Sequence, residues 1–265
     1  MGRQTVSGTK EVPVLKAVAF DMDDTLLSIN LSAFIAVFAK DTTMLLADIS
    51  GKGIVACAAA YSTALLNLNN NAREDDDRRS NQTFLDDEVE SRLGVPMTDP
   101  VIADVFTYYE REVLPQKNDG LIAARPRAGA HEALDAVLER GLRVMLLTNP
   151  SFSRDCIACR MGWGGLDGVP FELVTHAGNS TRCKPSPTYY LESLEKIGLK
   201  PEEVLMVGND AKRDFPDPYC GIQTAYVGGR RVGDRATWSG TMEEFARNFG
   251  EVEERFYERA SMPEA

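Results

Sequence analysis

A chain of 265 residues with 43% hydrophobic content has ample material for a core, in one large domain or two smaller ones. Its 40 acidic against 29 basic side chains leave a net charge of −11, which argues against non-specific nucleic-acid or anionic-membrane partners. Residues 1–10 are polar and lack the apolar stretch of a signal peptide. The cysteines number five, an odd count that suits free thiols in a reducing, cytoplasmic setting.

Residues 14–20 form an apolar run of the length and Val/Ala/Phe content of a buried parallel strand. Asp21, Asp23 and Asp24 follow at once. Asp21 and Asp23 are two apart, so a regular strand would aim both the same way. Their mutual repulsion calls for a positive partner, most simply a hard divalent cation.

Residues 26–124 carry few strand signals. An apolar stretch over 31–38 and an Ala-rich run over 53–66, too short to be a membrane span, predict helices, the second of them buried. Residues 67–80 cluster Asn, acids and Arg and read as a solvated loop, with Arg73, Arg78 and Arg79 as candidates to face a substrate. Further helices are predicted over 84–93 and 101–114. The second has Val101, Val105, Tyr108, Tyr109 and Val113 near helical spacing and is closed by Pro115. The whole block reads as a helical domain inserted after the first strand.

From Pro126 the pattern alternates. Helices are predicted over 130–140 and from Ser186-Pro187 to Gly198. Strands are predicted over 142–147, 171–175, 204–207 and 224–227. Met242, Phe245, Phe249, Val252 and Phe256 make one apolar helix face. Strands alternating with helices define an α/β fold with a doubly wound parallel sheet. The expected division is a core of residues 1–27 and 125–265 and a helical cap of residues 28–124.

The strand ends carry complementary chemistry. Asp21 and Asp23 follow the first strand and Thr148-Asn149 the second. Lys184 precedes a helix, and Asn209, Asp210 and Asp214 follow the fourth strand. In a doubly wound sheet such positions converge on one crevice. Carboxylates, a hydroxyl and a Lys form the kit of phosphoryl transfer, in which charge is screened, one carboxylate attacks phosphorus and a second handles the proton. Cys156-x-x-Cys159 has no companion ligand pair, and only His131 and His176 are available, so core-facing thiols are expected there.

Asp21-Met22-Asp23-Asp24-Thr25, Leu146-Leu147-Thr148-Asn149, Lys184-Pro185 and Val207-Gly208-Asn209-Asp210 with Asp214 occur in this order. The chain thereby resembles the haloacid dehalogenase superfamily, in its phosphohydrolase branch, over residues 14–228. The resemblance implies a Rossmannoid core and a helical cap that closes over the site. It also implies an Mg²⁺-dependent hydrolase of a small phosphorylated metabolite. Asp21 would be nucleophile and metal ligand. Asp23 would be general acid/base, with its carbonyl on the metal. Thr148, Asn149 and Lys184 would hold the phosphoryl group, Asp210 would ligate Mg²⁺, and Asn209 and Asp214 would stand in or beside the metal shell. Asn209 replaces a carboxylate common in relatives, and Pro216 and Pro218 replace an Ala-rich helix. A phosphomutase is the alternative. A dehalogenase is disfavoured by Asp23, and a phosphonate hydrolase would need a cap lysine such as Lys40 or Lys52. From another class, a non-catalytic binding protein would keep the fold without needing this set.

Overall fold

The computed structural model describes residues 13–216, 220–229 and 235–262. Its centre is strand β1 (Ala17–Phe20), wholly buried because all four side chains are apolar. A two-residue strand β2 (Leu27–Ser28) follows, and antiparallel pairing joins it to β3 (Arg125–Pro126). The remaining strands are β4 (Arg143–Leu146), β5 (Leu173–Val174), β6 (Val204–Gly208), β7 (Gln223–Tyr226) and β8 (Trp238–Ser239). They form one parallel sheet in the order β5-β4-β1-β6-β7-β8.

Alternation along β1 divides the core. Ala17 and Ala19 face one side with Met145, Leu147 and Met206, under Tyr189, Tyr190 and Leu194 of helix α7 (Pro187–Glu195). Val18 and Phe20 face the other, with Leu146 and Val207. Helices α5 (Ala130–Leu138), α8 (Met242–Arg247) and α9 (Phe249–Ala260) cover that side. The five C-terminal apolar residues are all buried, but on two helices, because the chain turns at Asn248. Strand β8 had no sequence signal; the expected strands are present and two or three residues shorter, except β6, which gains Gly208, and β7, which is shifted back by one residue.

The block between β2 and β3 is helical: α1 (Leu31–Ser50), α2 (Ile54–Asn69), α3 (Asn81–Leu93) and α4 (Pro100–Tyr108). Helix α2 is buried on one face only, through Cys57, Ala60, Tyr61, Ala64 and Leu68, while Ile54, Val55 and Leu66 are exposed. After Tyr108 the helix does not continue as expected. A π-helical turn spans Tyr109–Val113, and a 3-10 turn spans Leu114–Lys117. Pro115 sits inside that 3-10 turn rather than ending the segment.

The loop over 70–80 is not a solvated excursion. Asn71 exchanges two hydrogen bonds with the Cys183 backbone, its Nδ2 donating to the carbonyl (3.2 Å) and its Oδ1 accepting from the N–H (2.7 Å). The Arg182 guanidinium donates to the carbonyls of Asp77, Glu74 and Asp75. Asn81, fully buried at the start of α3, donates to the carbonyls of Pro150 and Arg182. Arg73 stacks on Phe84 and donates to Asn81 Oδ1, Arg79 pairs with Asp77 and Asp87, and Arg78 is exposed. Arg73 and Arg79 thus brace the loop. No helix among the described residues is long and apolar enough to cross a membrane. Asp217, Pro218 and Tyr219 lie outside the described residues, as do residues 1–12.

Candidate active site

Strand β1 ends by delivering Asp21 to the carboxyl edge of the sheet, beside the end of β6: the Asp21 N–H donates to the Val207 carbonyl at 2.9 Å. The chain then coils through one tight turn, with the N–H groups of Leu26 and Leu27 both donating to the Met22 carbonyl. Asp24 takes a positive φ of 55° within it, a left-handed setting that Asp tolerates better than most side chains. The coil returns Thr25 to Asp21. Its hydroxyl lies 3.3 Å from Asp21 Oδ2 and 2.9 Å from Asn209 Oδ1.

Lys184 is the hub. Its Nζ donates at 2.8 Å to Asp21 Oδ1 and at 2.8 Å to Asp214 Oδ1. All three side chains are buried, Lys184 to 3% exposure. Burial penalises the ammonium, but Asp21 and Asp214 outweigh it and push its pKa well above the ordinary range. For Asp21 the balance falls the other way. Burial, then the nearby Asp214 charge, push it up to about 7 against the pull of Lys184. Asp214 reaches this position because residue 208 is glycine, since a Cβ there would overlap the Asp214 side chain.

Lys184 is held from behind by Asn149. The Lys184 N–H donates to Asn149 Oδ1 at 3.1 Å, and Asn149 Nδ2 donates to Asn69 Oδ1 and Ser151 Oγ. The Asn149 side chain therefore braces the lysine loop. Its neighbour Thr148 is 1% exposed, and its carbonyl accepts from Thr175 and Tyr189. The Thr148 hydroxyl makes no hydrogen bond among the described residues. Asp210 is exposed; its Oδ1 accepts from the Lys212 N–H and caps the turn, and its own N–H donates to Asp214 Oδ2.

Asp23 has a partner that sequence reasoning missed. Arg160, on α6 (Arg154–Trp163), makes an ion pair with Asp23 Oδ2 and is 1% exposed. Its guanidinium lies over the rings of Phe34 and Phe152. Asp23 Oδ1 is buried without a hydrogen-bond partner. The signal was present in outline: Arg160 stands four residues after Cys156 and three after Ile157, on the apolar face of its helix. Cys156 and Cys159 are free thiols, the first buried and the second half-buried, and burial raises the pKa of both, to about 12 for Cys159. His176 caps a short turn through Nδ1. Lys40 and Lys52 are exposed, and Tyr109 is bound to Asp41.

The crowding of Asp214 and Asp23 around Asp21, opposed among the described residues by Lys184 and Arg160, leaves an excess of negative charge and an all-oxygen donor set. That chemistry suits a hard divalent cation, which needs only one or two carboxylates when water and carbonyl oxygens complete its shell. Among the described residues no three His, Cys, Asp or Glu side chains are arranged to hold a metal by themselves. A cation here would have to draw on backbone oxygen as well.

A family model described as haloacid dehalogenase-like hydrolase matches residues 15–216. A Xenopus laevis phospholysine phosphohistidine inorganic pyrophosphate phosphatase is 44% identical over 45 residues, 17% of each chain. Pyrophosphatase PpaX of Halalkalibacterium halodurans is 24% identical over 142 residues, 51% of this chain and 64% of that one. The chain thus spans less than two thirds of the length of either curated relative. Among solved structures, a phosphatase from Thermococcus onnurineus superposes with a TM-score of 0.53 at 19% identity, covering 89% of this chain and 98% of the other. A putative β-phosphoglucomutase from Thermotoga maritima gives 0.50 at 19% identity, covering 90% and 100%. These two share the fold. With the family match running from the start of β1 to just beyond Asp214, the chain belongs to the haloacid dehalogenase-like hydrolases.

Proposed function

We propose that the protein is a phosphohydrolase for a small phosphorylated metabolite, working through a phosphoaspartate on Asp21 with Mg²⁺ as cofactor. The observation that carries this reading is Lys184 bridging Asp21 and Asp214 at the carboxyl edge of β1 and β6. A buried lysine held there offsets the charge of an incoming phosphoryl group and keeps Asp21 oriented. An oxygen of Asp21 attacks phosphorus. The P–O bond to the leaving alcohol breaks, and the alcohol oxygen takes a proton from the Asp23 carboxyl group. Water then attacks the phosphoaspartate, gives its proton to Asp23 and releases inorganic phosphate with Asp21 restored. The Thr148 hydroxyl supplies a hydrogen bond to a phosphoryl oxygen.

Asp21, Asp210 and the Asp23 carbonyl would hold Mg²⁺, with Asn209 and Asp214 beside it, and the ion would supply charge neutralisation at the phosphoryl oxygens. The Arg160 pair fixes where the Asp23 carboxyl group stands, so Asp23 must part from Arg160, or share it, to reach the leaving oxygen. The helices of residues 28–124 serve as a cap over the crevice, hinged at the β2–β3 pair where the chain enters and leaves them.

The test is hydrolysis of an aryl phosphate with and without Mg²⁺, for wild type and Asp21→Asn. Metal-dependent phosphate release in the wild type alone is expected. Turnover by Asp21→Asn near the wild-type rate would remove Asp21 from the mechanism.

A further inference from the structure

Between the helical block and the sheet's carboxyl edge lies a cavity of about 430 Å³. Its walls come from α1, α2, α3, α4, the π-helical turn and the loop over 151–155. Phe38, Tyr61, Phe106 and Phe152 make it aromatic. Its lining includes three acids, Asp86, Glu110 and Asp155, and no Lys, Arg or His.

Asp155 is answered from outside by Arg111 at 3.0 Å. The other two acids make no ion pair among the described residues, although Arg111 also pulls weakly on Glu110 from outside the cavity lining. Glu110 is 8% exposed; Ser153 Oγ donates to its Oε2, and its Oε1 carries no hydrogen bond. Asp86 accepts only from Gln82, at 2.9 Å. Thr42, 3% exposed, also lines the cavity; among the described residues its hydroxyl completes no hydrogen bond of good geometry, although it interacts with the Tyr61 side chain. A buried hydroxyl without a partner is costly unless something else satisfies it.

Backbone geometry explains how Glu110 got there. The π-helical turn over Tyr109–Val113 changes the angular spacing of the helix and turns Tyr109 and Glu110 both inward. Such local insertions are common at functional sites. Ser151 links the cavity to the phosphoryl end: it lines the cavity, and its hydroxyl accepts from Asn149, the residue that holds the Lys184 loop.

We propose that this cavity receives the leaving group of the substrate and that this group is an organic cation, a protonated amine on an apolar body. The proposal rests on the phosphohydrolase reading for its leaving group, though not for its charge preference. Glu110 and Asp86 accept the ammonium N–H bonds, Thr42 takes a remaining polar contact, and the aromatic rings favour a cation over a neutral group of equal size. The same acids reject an anionic leaving group.

Two measurements separate this inference from the reaction it serves. Calorimetric titration with benzylamine and with benzyl alcohol tests the cavity without any phosphate. The amine should bind the wild type roughly tenfold or more tightly than the alcohol, and Glu110→Gln and Asp86→Asn should each reduce that preference while keeping a cooperative melt. Equal binding of amine and alcohol to the wild type overturns the cavity assignment. Hydrolysis of aminomethylphenyl phosphate against hydroxymethylphenyl phosphate then tests the substrate class. A kcat/KM preference for the amine, expressed in KM and lost in Glu110→Gln, supports it. Equal kcat/KM for the pair overturns the amine class while the phosphohydrolase reading stands. Benzylamine binding with hydrolysis of neither phosphate overturns the leaving-group assignment and the phosphohydrolase reading together, leaving an amine-binding cavity.

Discussion

The carboxyl edge of the sheet and the cavity beneath the helices both bury acids, but only the first supplies buried cations. Lys184 stands between Asp21 and Asp214, and Arg160 faces Asp23. Glu110 and Asp86 face apolar walls with one neutral hydrogen-bond donor each. The difference assigns their work. A site with its own cations is built to hold shape while charge moves through it, and to receive an anion. A site whose acids lack cations waits for a cation from outside.

The comparison breaks first at Asp21. Asp21→Asn should lower turnover by at least about 10³-fold, because an amide oxygen cannot take the nucleophile's place. Burial and Asp214 make the Asp21 carboxylate costly in the folded state, so the same change should leave Tm unchanged or higher at neutral pH. A large drop in Tm would mean that Asp21 is structural. Lys184→Met has the opposite signature. It strands Asp21 and Asp214 as buried, unpaired carboxylates, and a loss of about 3–5 kcal/mol in unfolding free energy is expected by denaturant titration. Adding Asp214→Asn should recover part of that stability and no activity. A single Lys184→Met that melts like wild type would show that water reaches the pair.

Arg160→Met sharpens the comparison at the second pair. Removing the guanidinium leaves Asp23 facing Phe34 and Phe152 and should cost about 2–4 kcal/mol. If Arg160 positions Asp23, kcat falls while KM for an aryl phosphate holds, and the pH profile of kcat changes shape. A purely packing role would lower Tm with kcat unchanged.

How far these pairs could be read from the chain alone depended on the range of the interaction. Strands β1 and β6 are unbroken apolar runs and β4 is one after Arg143, so composition and length sufficed, and Asp21 and Thr148 fell near their ends. Strand β8 and the β2–β3 pair have two residues per strand and leave no periodic trace; each is defined by its partners. The Asn- and Arg-rich loop looked solvated because its composition is polar. Its Asn71 side chain instead satisfies the backbone of Cys183, and its carbonyls accept from the Arg182 guanidinium, far along the chain, and no local pattern reports that. The Asp23–Arg160 pair was hidden for the same reason, and so was the π-helical turn, since Val101 and Tyr108 kept an apolar spacing that proves to face solvent.

The smallest expected effect tests the cavity side of the comparison. Burial raises Glu110 from its ordinary value of 4.5 to about 7, against a weaker pull from Ser153. Between those values the folded protein keeps a proton that the unfolded chain releases, so folding stability falls as pH rises through that window. Glu110→Gln retains an acceptor for Ser153 and removes the titration. Its gain over wild type should be near zero at about pH 5 and grow to about 1–3 kcal/mol at about pH 8, read from thermal melts in parallel buffers. Asp86, raised to about 6 by burial, adds the same sign over a lower window, so Asp86→Asn should show a smaller gain that is complete at lower pH. Benzylamine at saturating concentration should erase the Glu110→Gln advantage, because the ammonium then stabilises the wild-type carboxylate and has less to bind in the variant. A gain equal at both pH values would place the effect in packing rather than charge. A gain that survives benzylamine would mean that the amine never meets Glu110, and the contrast between a site with its own cations and a site awaiting one would lose its second half.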